Sequence, residues 1–228
     1  MRFRLSIVCV VFSLGTVLPL AGCQRKPAQS GSSVVGEIGY GSVAGHTYSN
    51  VFFGLAVTFP DDWYIQSREE FDELSRLGLE VATASNKSLK AAAAASQTTT
   101  LNLVAAFQHP PGTPVPFNAN IIITTEKVKH LPGIKSGSDY LQHMQRTLAM
   151  TALKYEFDPI ESDQKLGSLA AHCLPTTLQA GIIEVRQRMY ATRYRDYALV
   201  MAVSYSSDEQ FEKLKPILDG IQAGGKQP

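Results

Sequence analysis

AAHCLPTTLQAGIIEVRQRMYATRYRDYALVMAVSY, residues Ala170–Tyr205, is the stretch that decides the fold. It reads as three strands in succession, roughly Ala170–Gln179, Ile182–Arg193 and Tyr197–Tyr205. Strands linked this closely pair as hairpins and therefore run antiparallel. No helix crosses over between them, which excludes a βαβ unit here.

Working outward, Thr99–Gln108 alternates with Leu101, Leu103, Ala105 and Phe107 on one face, and Ala119–Val128 follows as its hairpin mate. The loop between them, HPPGTPVPFN, holds four prolines and is expected to be stiff and extended. Upstream, Leu55–Phe59 alternates as a strand, and Pro60-Asp61-Asp62-Trp63 supplies a turn. Ser67 and Glu70 form a capping box ahead of the apolar stripe Phe71, Leu74, Leu77 and Val81. Asn86–Gln97 is helical by alanine propensity alone and is expected to be peripheral. A helix over Ser138–Met150 turns Tyr140, Leu141, Met144 and Leu148 to one side. The last helix begins at Ser206 or Ser207 and carries Phe211, Leu214, Ile217, Leu218 and Ile221, with Pro216 predicting a kink. The fold class expected is α+β, an antiparallel β-sheet flanked by helices.

The amino terminus carries a different message. Met1-Arg2-Phe3-Arg4 precedes an apolar run too short to span a bilayer comfortably, and the run closes on Leu20-Ala21-Gly22-Cys23. These four residues resemble the lipobox of bacterial lipoproteins. The resemblance implies a signal peptide over 1–22, cut before Cys23, whose thiol takes a diacylglyceryl group. Two or more acyl chains anchor stably where one does not. Residues 23–46 then read as the lipidated cysteine and a flexible Gly/Ser-rich tether, 47–222 as one domain, and 223–228 as a disordered tail. Gln24 is not the aspartate that holds lipoproteins at the inner membrane of enteric bacteria. In such a host the expected place is the periplasmic face of the outer membrane.

The whole chain has a formal net charge of +1, and a leader carrying Arg2 and Arg4 without acids leaves the mature chain at −1. That balance gives no electrostatic footprint for nucleic acid. Cys9 leaves with the leader and Cys23 is acylated, so Cys173 is the remaining thiol. It lies in an apolar strand, and burial is expected.

Tyr48-Ser49-Asn50, then Gly54-Leu55-Ala56-Val57-Thr58-Phe59-Pro60 and Trp63, resemble the opening hairpin of the PsbP-like superfamily, which includes DcrB-like lipoproteins. The close is similar too, with an Arg- and Tyr-bearing hairpin over Arg186–Tyr205 followed by Ser206-Ser207-Asp208-Glu209-Gln210-Phe211. The helix over 86–97 and the proline loop depart from that pattern. The resemblance implies an α-β-α sandwich and a role in binding or assembling other proteins, without a catalytic set.

The residues themselves favour binding over chemistry. His172 and Cys173 are adjacent in a strand and point to opposite faces, so they cannot act as base and nucleophile. His46, His109, His130 and His143 lie in different elements, with no pair at metal-binding spacing. Asp61-Asp62 suits a turn, Gly36, Gly39, Gly41 and Gly45 lack the strand-to-helix setting of a phosphate loop, and no serine sits in a Gly-x-Ser-x-Gly elbow. No enzyme, cofactor or metal is expected. Candidate contacts for a partner are Arg186, Arg188, Tyr190 and Tyr194 on one strand, joined by Arg193 and Arg195. Pro111, Pro114 and Pro116 in the stiff loop are the second set. The expected function is a lipid-anchored, non-catalytic envelope protein that binds or helps assemble an unidentified envelope protein. The alternative is a periplasmic small-molecule carrier with a cleft between sheet and helices.

Overall fold

A computed structural model describes residues 38–83, 89–91, 94 and 97–224. The leader, Cys23 and most of the helix expected over 86–97 lie outside the described residues. The elements begin with strands β1 (Ser42–Ala44), β2 (Thr47–Asn50), β3 (Leu55–Thr58) and β4 (Tyr64–Ile65), then helix α1 (Arg68–Thr83). Strands β5 (Thr100–Phe107) and β6 (Asn120–Lys127) lead to helix α2 (Gly137–Leu148). Strands β7 (Tyr155–Phe157), β8 (Glu161–Leu166), β9 (Leu169–Ala180), β10 (Ile183–Tyr194) and β11 (Tyr197–Tyr205) follow, then helix α3 (Asp208–Asp219) and strand β12 (Gln222–Ala223).

The three-strand run forms the centre of an antiparallel sheet ordered β4-β5-β6-β11-β10-β9-β7, with β8 also pairing β9. In register, Tyr190 lies opposite Met201 on one side and Cys173 on the other. Pro175 has no backbone N–H to give, and it falls where the outer partner of β9 changes from β7 to β8. A second, smaller sheet, β1-β2-β3-β12, draws its strands from both ends of the described chain. The fold is thus α+β and antiparallel, and richer in strand than a sheet merely flanked by helices.

Alternation along the strands sends side chains to two cores. One face of the large sheet, with Cys173, Tyr190, Leu199, Met201 and Val203, packs against Tyr48, Leu55 and Val57 of the small sheet and Leu214, Ile217 and Leu218 of α3. The opposite face, with Leu174, Met189, Ala191, Ala198 and Val200, packs against Tyr140, Leu141, Met144 and Leu148 of α2. Phe71 of α1 covers Ala105, Phe107 and Ile122 on that same side. Both faces are therefore roofed.

The start of α1 follows the predicted capping. Ser67 Oγ accepts from Glu70 N at 3.3 Å while Glu70 Oε2 accepts from Ser67 N at 2.8 Å. Ser136 and Asp139 do the same for α2, and Ser207 Oγ accepts from Gln210 N ahead of α3. The start of α2 presses onto β10 so closely that a Cβ at Gly137 would lie 2.1 Å from the Ala191 carbonyl oxygen. Only glycine fits there.

Besides Ala223, which pairs with Leu55 in β12 instead of opening a disordered tail, two expectations need correction. The register of β5 against β6 shifts between Asn102 and Val104, a β-bulge. The bulge reverses the phase of the strand. Leu101 and Leu103 consequently join the small-sheet side while Ala105 and Phe107 face α1, so the four do not share one face. The second correction is at the tether. Strand β1 pairs with β2 inside the stretch read as tether, held by the Tyr48 hydroxyl, which donates to Tyr40 O at 2.8 Å, and by Asn50 Nδ2, which donates to Gly39 O at 2.9 Å.

Candidate functional site

Even-numbered residues of β10 turn toward the small sheet and α3. That places Arg186, Arg188 and Tyr190 on one face, and the face is largely covered. Tyr190 is only 5 % exposed. Arg188 Nε donates to the Tyr190 hydroxyl at 2.8 Å, and its guanidinium pairs with Glu161 of β8 at 2.5 Å. Arg186 lies nearer the rim, where it meets Asp208 Oδ1 at 2.8 Å and rests 5.0 Å from the Tyr205 ring centroid. The expected solvated Arg/Tyr surface is therefore not what forms at these three positions. Tyr190 is a core residue, and Arg188 is a half-buried cation tying β8 to β10.

Cys173 lies beneath the same network, opposite Tyr190 and fully buried. His172 projects from the other face toward Gly137, as strand alternation requires. Burial pushes the Cys173 thiol up to about 12, and burial likewise lifts the Tyr190 phenol to about 12. At neutral pH the cysteine is a thiol with no nucleophilic character. Labelling of native protein at Cys173, read by peptide mapping, is expected to be slow at pH 8 and fast once the chain is denatured. Rapid modification of the folded protein would reopen a covalent or redox role.

Tyr194 behaves differently. At the far end of β10 its ring packs edge-on against Phe52 at 5.6 Å and Phe53 at 5.7 Å, while Phe52 also meets Tyr197 at 5.5 Å. Arg195 lies over two of these rings, 5.5 Å from the Phe52 centroid and 5.3 Å from that of Tyr194. Phe52, Tyr194 and Tyr197 are half-buried, Arg195 is exposed, and neighbouring Val51 is 96 % exposed. Arg195 begins the two-residue turn between β10 and β11 and has φ 54°, a left-handed conformation that costs a non-glycine residue about 1–2 kcal/mol. A groove of about 250 Å³ lined in part by Phe53, Thr192, Tyr194 and Leu199 adjoins the cluster. Sequence reading pointed to Tyr194 and Arg195 but missed Phe52 and Tyr197. No short-range pattern links the β2–β3 turn to the β10–β11 turn.

The proline loop is exposed at Pro110, Pro111, Pro114 and Pro116. Its base is closed by Asn118, whose side chain accepts from His109 N at 3.0 Å and donates to His109 O at 2.7 Å. Gln210 Nε2 donates to Phe117 O at 2.9 Å and ties the loop to α3. The structure does not bring this loop together with Tyr194; no contact between the two sets is present among the described residues.

A cleft of about 710 Å³ is bounded by residues of β1, β4, β5 and the first turn of α1. Trp63, Phe71, Leu103 and Val104 supply apolar wall, and His46, Gln66, Arg68 and Glu70 supply polar groups. Glu70 accepts from the Tyr64 hydroxyl and Ser67 N, which hold its carboxyl below the usual carboxylate range. Arg68 stacks 3.9 Å above the Tyr40 ring. Among the described residues no group of His, Cys, Asp and Glu could hold a metal ion, and no helix is long and apolar enough to cross a membrane.

No protein-family model matches the chain, and no curated protein matches it. Solved structures give slight likenesses. A Pseudomonas aeruginosa protein of unknown function is 14 % identical, with TM-score 0.35 over 46 % of this chain and 70 % of that one. A Bacteroides thetaiotaomicron protein is 9 % identical, with TM-score 0.37 over 77 % of this chain and 47 % of that one. The T6SS immunity protein TplEi of Pseudomonas aeruginosa, complexed with a peptide, is 10 % identical, with TM-score 0.39 over 75 % and 95 %. At these values the likenesses bear on neither fold detail nor function.

Proposed function

We propose that the chain is a lipid-anchored, non-catalytic cell-envelope protein that binds another protein through the aromatic–arginine cluster at Tyr194. The PsbP-like sandwich and acylation at Cys23 belong to the same reading. It is supported by residue type, since half-exposed tyrosine, phenylalanine and arginine are the side chains that dominate binding hot spots. The single observation that carries it is Arg195, kept in an unfavourable left-handed conformation at an exposed turn, with its guanidinium laid over Phe52 and Tyr194.

The test separates binding from stability. A photoreactive residue at Val51, beside Phe52, is expected to cross-link a discrete envelope protein in intact cells. Arg195→Gly removes the guanidinium and relieves the backbone, so the folded protein is expected to be as stable as the parent or up to about 1 kcal/mol more so. The same change should reduce the adduct several-fold. An adduct that survives both Arg195→Gly and Tyr194→Ala would reject the cluster and direct attention to Pro111, Pro114 and Pro116.

A further inference from the structure

We infer that the partner of the Tyr194 cluster presents an extended segment with a bulky apolar side chain and, two residues away, a carboxylate, which rests on the protein-binding reading and names the chemistry of its partner. The groove beside Tyr194 decides the apolar half. At about 250 Å³ it is smaller than the roughly 300–1,000 Å³ of small-molecule pockets, yet larger than the about 150 Å³ that holds a benzene ring. One large side chain fills it. Phe53, Leu169 and Leu199 line it and are themselves buried. Of its aliphatic hydroxyls, Ser168 Oγ accepts from Ala223 N at 2.7 Å, and Thr192 has a partner of its own. An apolar occupant therefore leaves neither of them unpaired.

Charge decides the other half. Tyr194, Tyr197 and Lys127 stand in one cross-strand row of β10, β11 and β6, so their side chains share a face. Lys127 and Arg195 are exposed, and among the described residues neither makes an ion pair. Asp196, the acid of the same turn, meets Lys129 at 3.5 Å. The rim is thus cationic on a chain of near-zero net charge, and its complement is an anion. The Arg195 guanidinium lies 5.3 Å from the Tyr194 ring, which also lines the groove. Side chains two residues apart in an extended segment point the same way at about 7 Å, a comparable reach. An anionic bilayer would supply charge as well, but each Lys or Arg at such a surface strengthens binding only about five-fold. Two cations hold a bilayer weakly, and a groove for one side chain suits a polypeptide.

The whole chain, expressed with fluorotyrosine, reports occupancy through the fluorine resonance of Tyr194, assigned with Tyr194→Phe. The probe is acetyl-Leu-Gly-Asp-amide, expected to saturate with a midpoint on the order of 1–10 mM. The matching Asn peptide should bind about two- to five-fold more weakly, and the Lys peptide more weakly still. Replacing the leucine of the probe by alanine should cost about ten-fold. Arg195→Glu keeps a Cβ in the turn and should erase the preference for Asp over Asn. Equal binding of the Asp, Asn and Lys peptides, equal binding of the Leu and Ala peptides, or no saturation up to about ten times that range overturns the inference. A larger response to dihexanoylphosphatidylglycerol than to the Asp peptide overturns it in favour of a lipid surface. An Arg195-dependent adduct at Val51, without discrimination among the peptides, rejects the inference while the protein-binding reading stands. An adduct indifferent to both Arg195 and Tyr194 rejects both.

Discussion

Tyr190→Ala is expected to destabilise the fold by about 3–5 kcal/mol, the cost of deleting a large aromatic side chain from a packed core. Tyr190 is 5 % exposed and sits among Cys173, Leu199 and Met201. Its hydroxyl is also the acceptor for Arg188 Nε, so truncation leaves a half-buried guanidinium one bond short. In thermal unfolding this should appear as a fall in Tm of about 6–20 °C, given about 2–4 °C per kcal/mol for a domain of this size. Arg186→Ala is the contrast. Its partner Asp208 has a side chain 90 % exposed, and an ion pair of that kind contributes under about 1 kcal/mol. A Tyr190→Ala variant as stable as Arg186→Ala would mean that the ring is not in the core.

Cys23→Ala is expected to abolish acyl labelling and to leave either uncut precursor or soluble mature chain. Under the proposed anchoring each acyl methylene buried in lipid contributes about 0.8 kcal/mol, so two chains hold the protein at the membrane and their loss is all-or-none. Metabolic labelling with a tritiated fatty acid, followed by membrane fractionation, reads both outcomes. A variant that is still cut normally and still sediments with membranes without acyl label would end the lipoprotein proposal. Fractionation of the parent also tests placement at the outer membrane, which Gln24 suggests for an enteric-type host.

What could be read from the sequence was local. The β9–β10–β11 ladder announces itself because strand, turn and strand are contiguous, and the capping box at Ser67 and the N-cap at Ser207 involve residues three apart. The opposite orientations of His172 and Cys173 also follow from the backbone alone. What escaped was long-range. Alternation in β10 marks Arg186, Arg188 and Tyr190 as sharing a face, but it cannot say that α3 and the small sheet cover that face. Polar side chains invited a solvent-facing reading, and Glu161 of β8, supplied from across β9, makes Arg188 tolerable inside. The bulge in β5 defeated simple counting, since one extra residue exchanges the two faces. The cleft was foreseen only as a possibility of the alternative function. Its walls come from three stretches far apart in sequence, 40–48, 63–71 and 102–104, and β1 lies where the sequence reads as tether.

The placement of β1 also has a mechanical side. It is an edge strand of the smaller sheet, bonded only to β2, and it is the first described element on the side facing Cys23. Tension arriving from that side loads β1 before anything else, and an edge strand so loaded peels one rung at a time. Freed from Ile38 to His46, the chain would lengthen by up to about 30 Å at roughly 3.3–3.6 Å per residue, lifting Ile38 off the core beneath the small sheet while the strands of the large sheet stay paired. The same residues wall the cleft through Tyr40, Gly41 and His46. Under the proposed anchoring, stretching the tether would therefore open the cleft, so that reach from the membrane and the shape of the cleft are set by the same few hydrogen bonds.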